Sequence, residues 1–343
     1  MIILGIETSC DETAAAVVTD KQVILSHVIL SQIKEHAAFG GVVPEIAARA
    51  HLVHIESILQ QTLAQAHITL DDLDGIAATG GPGLIGGLIV GVMMAKGLAM
   101  AKRIPFLPIN HLEGHALTVR LTEDVPFPFL LLLVSGGHCQ FLIAEDVGKY
   151  TQLGGTLDDA LGECLDKTAR LLGHGYPGGP IIERLAKTGN PRAFALPKPL
   201  KGTEGCAFSF SGLKTAARKV ILENDITDPV FQADFCASLQ HTVGEILVDR
   251  TLNALAMAHA RHPSLAHLVV AGGVAANQYF NAQLSGCAAQ RGVTLHAPPL
   301  ALCTDNGAMI AWAGVERLRK GLIGSLDFAP RPRWPLDELK QER

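Results

Sequence analysis

His111 and His115, at the ends of His111-Leu112-Glu113-Gly114-His115, set two imidazoles four positions apart, a spacing that stacks them on one face of a helix. Neutral imidazole is the commonest protein ligand for a borderline divalent metal, and two converging rings supply half of a four-coordinate shell. A metal site is the first chemistry this pattern offers. Glu113 lies about 200° round a helix from His111 and cannot share the histidine face. The peptidase order His-Glu-x-x-His sets its general base directly after the first histidine, which this order does not do. Asp305, within Cys303-Thr304-Asp305-Asn306-Gly307, offers the anionic ligand that the pair lacks, although its place ahead of an apolar helix also suits a helix cap.

Asp11 and Glu12 follow directly on the first apolar run, where a carboxylate can bind a metal or serve as general base, or sit as solvated charge on a hairpin tip. Gly136-Gly137 and Gly272-Gly273 each follow a buried strand, and glycine there permits the close backbone approach that phosphate binding needs. A plain hairpin would use glycine too; the second copy of the pattern favours a nucleotide cleft. Asn277, just past the second pair, suits a base or ribose contact or a helix cap. Asp158, Asp159, Glu163 and Asp166 recur at roughly helical spacing, the mark of an exposed face, with Asp166 also placed to reach a ribose. Arg192, Lys198, Lys201, Lys214, Arg218 and Lys219 form a candidate RNA patch, which a solvated loop explains as well.

The elements that must position these groups follow from periodicity. Residues 2 to 8, 14 to 18 and 23 to 28 predict a three-strand meander, and a helix starts behind Pro44. Gly75 to Thr79 predicts a strand, Gly80-Gly81-Pro82-Gly83 a turn, and Leu84 to about Ala101 a buried helix that Lys96 interrupts before the ~20 residues of a membrane span. Pro105 to Ile109 predicts the strand that delivers the histidines. Phe129 to Val134, the turn Ser135 to His138, Cys139 to Ala144, a helix from about Leu157 to Leu172, and the strand His267 to Val270 with a helix from Ala275 repeat the plan. An internal duplication is expected. The fold class is α/β: a two-lobed actin-like ATPase fold of the kind shared by sugar kinases and Hsp70, with duplicated lobes around a nucleotide cleft. The lobes are expected at 1–122 and 123–343, with a hinge near 115 to 127, an insertion at about 188–229, and a last helix that can pack back on the N-terminal lobe.

A chain of 343 residues, 48 % of them apolar, can bury a large core, and its net charge of −5 argues against an autonomous nucleic-acid binder. Seven scattered cysteines, none spaced Cys-x-x-Cys, suggest neither a disulfide framework nor a zinc knuckle. The amino terminus has no positive n-region and meets Asp11 and Glu12, so no signal peptide is expected. The expected location is the cytoplasm, away from any membrane.

Several stretches together resemble one family: Gly5 to Thr13, Phe39 to Glu45, His111 to His115, Val134 to His138, Tyr176 to Pro180, Phe208 to Lys214, Ala271 to Val274 and Cys303 to Ala308. The chain is similar over essentially its whole length to the bacterial TsaD family, also called YgjD or Gcp. That resemblance implies the catalytic subunit that transfers threonylcarbamoyl from threonylcarbamoyl-AMP to N6 of the adenosine 3′ of the anticodon, in tRNAs reading codons that begin with A. It implies metal ligands at His111, His115 and Asp305, with Fe2+ favoured and Zn2+ the alternative. Substrate contacts are implied at Leu133, Val134, Ser135, Gly136, Gly137, Asp166, Gly179 and Asn277, with Asp11 and Glu12 as the acidic pair near the chemistry. Implied partners are tRNA, a TsaB-like paralogue, a TsaE-like ATPase and a TsaC-type enzyme that supplies the adenylate. Archaeal relatives place a tyrosine ligand at the position of Leu133, which leaves an open coordination position. Asn110 and Cys139 depart from the family's usual histidine and threonine. Rival readings are a metal-dependent O-sialoglycoprotein endopeptidase, disfavoured by the offset Glu113, a non-catalytic ATP-binding scaffold, which has no reason to keep three ligands, and a small-molecule kinase on the same fold.

Overall fold

The computed structural model describes residues 1–37, 39 and 41–339; Gly40 of the Phe39 to Glu45 stretch lies outside them. The chain alternates strands and helices: β1 Ile2–Glu7, β2 Glu12–Thr19, β3 Ile24–Ser31, α1 Ile33–Ala37, α2 Pro44–Ala66, β4 Gly75–Gly81, α3 Ile85–Lys102, β5 Phe106–Asn110 and α4 His111–Thr122. There follow β6 Phe129–Val134, β7 Cys139–Asp146, β8 Lys149–Gly155, α5 Leu161–Leu171, α6 Gly178–Ala186, α7 Ser211–Leu222 and α8 Pro229–Arg261. The chain closes with β9 His267–Ala271, α9 Gln278–Ala289, β10 Thr294–His296 and α10 Gly307–Arg319.

Two five-stranded sheets result, ordered β3-β2-β1-β4-β5 and β8-β7-β6-β9-β10. In each, the first strand in sequence pairs antiparallel with the next and parallel with a later strand that returns after helices. The second sheet therefore repeats the first strand for strand, as a duplication requires. β8 was not anticipated: Lys149-Tyr150-Thr151-Gln152-Leu153 is mixed rather than alternating, which is how an edge strand reads.

The chain forms two compact units. One holds Met1–Val125, Asp146–Tyr150 and the residues from Pro299 onward; the other holds Pro126–Glu145 and Thr151–Pro298. The last segment belongs to the first unit, where α10 packs on β1, β2 and α4. The first crossing between the units falls at Val125/Pro126, within the stretch 115 to 127, after α4 has run unbroken to Thr122.

β1 is an almost uninterrupted buried run, as expected of a central strand covered on both faces. Close approach of α10 to β1 and β2 needs missing side chains. A Cβ at Gly5 would sit 2.3 Å from the Ala311 amide nitrogen, and one at Gly307 would sit 2.5 Å from the Ala15 carbonyl carbon. α3 is apolar and long enough, by length and composition, to cross a membrane. Its Gly87, Leu88, Gly91, Val92, Ala95 and Ala99 are buried, and it packs on β4 and α2.

Candidate active site

The first unit builds the histidine site from three elements. β5 ends at Asn110, whose side-chain Oδ1 accepts from the Leu112 amide at 2.9 Å and so starts α4. Its Nδ2 donates to the Trp334 carbonyl at 2.8 Å, tying the helix start to the C-terminal segment. His111 and His115 then fall on one face of the first turn, their rings 4.8 Å apart and edge-on. From a different part of the chain, Asp305 brings Oδ1 to 3.1 Å from His115 Nε2 and 3.5 Å from His111 Nε2. One ligand atom from each of the three lies within 4.8 Å of the others. Capping does not compete for Asp305, because the next residue does that work: Asn306 Oδ1 accepts from the Met309 amide at 2.9 Å.

A donor set of two imidazoles and one carboxylate fits a borderline divalent ion. Without an ion, the three groups hold one another's charges. Burial works against charge on His111, but Asp305 and Glu7 outweigh it and raise its pKa well above the ordinary range. Burial likewise opposes the Asp305 carboxylate, and His111 and His115 hold it well below the ordinary range. Beside them, burial, followed by the charges of Asp305 and Asp11, pushes the Glu12 carboxyl up to about 9.

Glu7 escaped the sequence reading. It is 1 % exposed, and its Oε2 lies 3.0 Å from His111 Nδ1. The available signal was an acid closing an otherwise apolar strand. Glu113 has gone elsewhere: it is fully buried and its Oε2 accepts from Arg317 Nη1 at 2.8 Å.

The second unit carries the residues that the family resemblance implies for the substrate. Leu133 and Val134 are closed in the sheet, so they present no side chain; the Ser135 amide donates to the His138 carbonyl at 2.8 Å and closes the turn. Gly136 and Gly137 are exposed there, with open space where a Cβ would stand. The second glycine turn lies against the first. Gly272 has φ +93°, and a Cβ on it would sit 2.4 Å from the Val134 carbonyl oxygen. Asp166 accepts from the Gly178 amide at 2.7 Å and also from Gly179, so it caps α6. Burial nevertheless raises its pKa. Asn277 caps α9 through the Phe280 amide at 3.0 Å, and its Nδ2 faces Gln240 Oε1 at 3.3 Å. Thus the turns 135–137 and 272–273 come together, while Asp166 and Asn277 already serve helix starts.

The candidate RNA patch is largely neutralised within the second unit. Lys198 and Lys201 both pair with Glu245, Lys214 with Asp159, and Lys219 with Glu223. Among the described residues, Arg192 and Arg218 make no such pair.

The doubled sheets and their helices define a class, the actin-like ATPase (ASKHA) fold. HypF from T. kodakarensis superposes with a TM-score of 0.60 at 14 % identity, covering 93 % of this chain and 48 % of that one. The ROK hexokinase from Thermus thermophilus gives 0.51 at 16 % identity, over 94 % and 99 %. Sequence comparison narrows the class. The TsaD profile, described as tRNA N6-adenosine threonylcarbamoyltransferase, matches residues 23–312. Curated proteins of that name are 56 % identical in Paramagnetospirillum magneticum, over 98 % of this chain and 97 % of theirs, and 57 % identical in Rhodospirillum rubrum, over 98 % and 94 %. The chain belongs to the TsaD family.

Proposed function

We propose that this chain transfers the threonylcarbamoyl group from threonylcarbamoyl-AMP to N6 of the adenosine 3′ of the anticodon, in tRNAs reading codons that begin with A, with release of AMP. The carrying observation is near-full-length identity of 56–57 % to tRNA N6-adenosine threonylcarbamoyltransferases in a chain whose His111, His115 and Asp305 converge. An adenylate is already an activated acyl donor, so the protein must hold and orient it rather than supply a nucleophile. The exposed turn Ser135 to Gly137 offers backbone amides for the donor's phosphate, while Gly179 and the caps Asp166 and Asn277 set the elements around it. His111, His115 and Asp305 would hold one divalent ion, Fe2+ or alternatively Zn2+. When bound, that ion supplies a Lewis acid for the carbonyl under attack. Asp11 and Glu12 are the acidic pair for proton handling, and either is placed to accept the proton leaving the tRNA amine.

The partners follow from the same reading: tRNA, a TsaB-like paralogue, a TsaE-like ATPase and a TsaC-type source of the adenylate, in the cytoplasm. For the paralogue, α3 offers Ile85, Ile89, Met93 and Met100 in exposed positions beside Leu52 and Val53 of α2. An apolar stripe of this kind suits a protein partner of matching face.

Mass spectrometry of tRNA nucleosides tests the activity, after incubation with threonine, bicarbonate, ATP and the partner proteins, with and without this chain. A threonylcarbamoylated adenosine that forms only with the chain present is the expected result; its absence sinks the assignment.

A further inference from the structure

Glu7 occupies the end of β1, where a buried carboxylate needs donors on every side, and it has them. The Ser9 amide donates to Oε1 at 2.5 Å, and Thr79 Oγ1, from the end of β4, donates to Oε2 at 2.5 Å. The third group on the carboxylate, and the second at Oε2, is His111 Nδ1, at 3.0 Å, with Ser9 Oγ beside the same nitrogen at 3.2 Å. An ionised carboxylate only accepts, so Nδ1 must carry the proton of that bond. When a bound ion displaces the proton of the other nitrogen, the lone pair it takes is that of Nε2, which is turned toward Asp305.

We infer that Glu7 is the positioning residue of the metal centre: it fixes the tautomer and ring plane of His111 so that Nε2 is the ligating atom. The inference rests on the proposed metal site at His111, His115 and Asp305. Glu7 is not a fourth ligand, because it faces the ring nitrogen away from the Asp305 side. Thr79 and Ser9 in turn hold Glu7, which extends the support of the centre to β4 and to the turn after β1. A partner of this kind raises the basicity of the ligating nitrogen and removes the entropy of a ring free to flip.

The test uses the purified full chain, stripped with a chelator, and Zn2+ as the probe. Zn2+ affinity is measured by competition for wild type, Glu7→Gln, Glu7→Asp, His111→Ala and Asp305→Ala, with near-ultraviolet circular dichroism as the check on folding. Glu7→Gln is expected to weaken Zn2+ by about 10–100-fold, with partial recovery in Glu7→Asp. A folded Glu7→Gln that binds Zn2+ within about twofold of wild type overturns the inference. Should that variant not fold, wild type alone decides. In the Zn2+-loaded protein, long-range 1H–15N correlation is expected to show His111 protonated at Nδ1 and ligated through Nε2, and ligation through Nδ1 overturns the proposal. If His111→Ala and Asp305→Ala bind Zn2+ as wild type does, the metal centre itself fails, a result distinct from a failure of Glu7 alone.

Discussion

Glu113 and Arg317 form a buried ion pair at 2.8 Å, joining α4 to α10. The other oxygen of Glu113 accepts from the Gly148 amide at 2.7 Å and from the Tyr150 hydroxyl at 3.2 Å. All of these groups belong to one unit, so a residue two positions from His111 serves as a structural staple and has no free oxygen with which to activate water. This removes the group a histidine-based peptidase would need. Glu113→Ala strands a buried guanidinium, and the expected cost is about 3–5 kcal/mol of unfolding free energy. Urea denaturation measures it; a change below about 1 kcal/mol contradicts a stapling role for Glu113.

His111→Ala and Asp305→Ala bear on the chemistry instead. Each removes one of three converging donors. Loss of a Lewis acid forfeits several kcal/mol of barrier lowering, so transfer to tRNA is expected to fall by at least about 100-fold. Asp305→Asn separates charge from shape, because the amide keeps an oxygen near His115 but not the anion. Nucleoside mass spectrometry gives the rate and elemental analysis the bound metal. Wild-type transfer in either alanine variant, or after exhaustive chelation, refutes a metal-dependent reaction.

What could be read in advance depended on range. The histidine spacing is local, so the helical period alone brought His111 and His115 together. The meander, the glycine turns and the doubled plan were equally legible, being written in runs of a few residues. Glu7 was not, since its partner stands 104 positions away and meets it only once β4 lies between β1 and β5. Which residues the last helix would meet was hidden for the same reason. Gly5, Gly307 and Gly314 are visible as small residues, but nothing local says that they face Ala311, Ala15 and Ala77. Pro126 and Pro128 drew the expected boundary, and the units part at Val125/Pro126, just beyond the end of α4 at Thr122.

The two glycine turns of the second unit are expected to respond differently to one methyl group. Gly272→Ala forces a Cβ into the left-handed region, 2.4 Å from the Val134 carbonyl oxygen, and is expected to destabilise by about 1–3 kcal/mol or more. Gly136→Ala meets open space, so the melting temperature is expected to hold while affinity for the adenylate falls. Thermal melting and binding of a non-hydrolysable adenylate analogue separate the two. Equal melting temperatures for both variants contradict the close packing of Gly272 on Val134.

The α3 stripe yields a prediction about assembly. Met93 is 58 % exposed and Ile89 45 % exposed, so neither supports the core. Ile89→Glu with Met93→Glu is expected to leave the melting temperature of the isolated chain within about 1 °C, since surface changes stay within about ±0.5 kcal/mol. Association with the paralogue is expected to weaken by at least about 100-fold, as for charges placed in an apolar patch centre. Sedimentation of the mixed proteins reads both states, and an intact complex rules this face out.

Glu245 provides a pH signature confined to the second unit. Hydrogen bonds from Lys198 and Lys201 pull its pKa down from 4.5 to about 2, against a smaller opposing effect of burial. A carboxylate depressed in the folded state stabilises fully above its unfolded pKa, and the contribution disappears as pH falls through the folded value. The window is therefore pH 4.5 down to about 2. Both lysines are more than a third exposed, so screening limits the contribution to about 1 kcal/mol or less. Glu245→Gln is expected to melt slightly below wild type at pH 6, with the gap closing toward pH 2 and shrinking in high salt. A gap that widens on acidification reverses the sign and excludes the pair as its source.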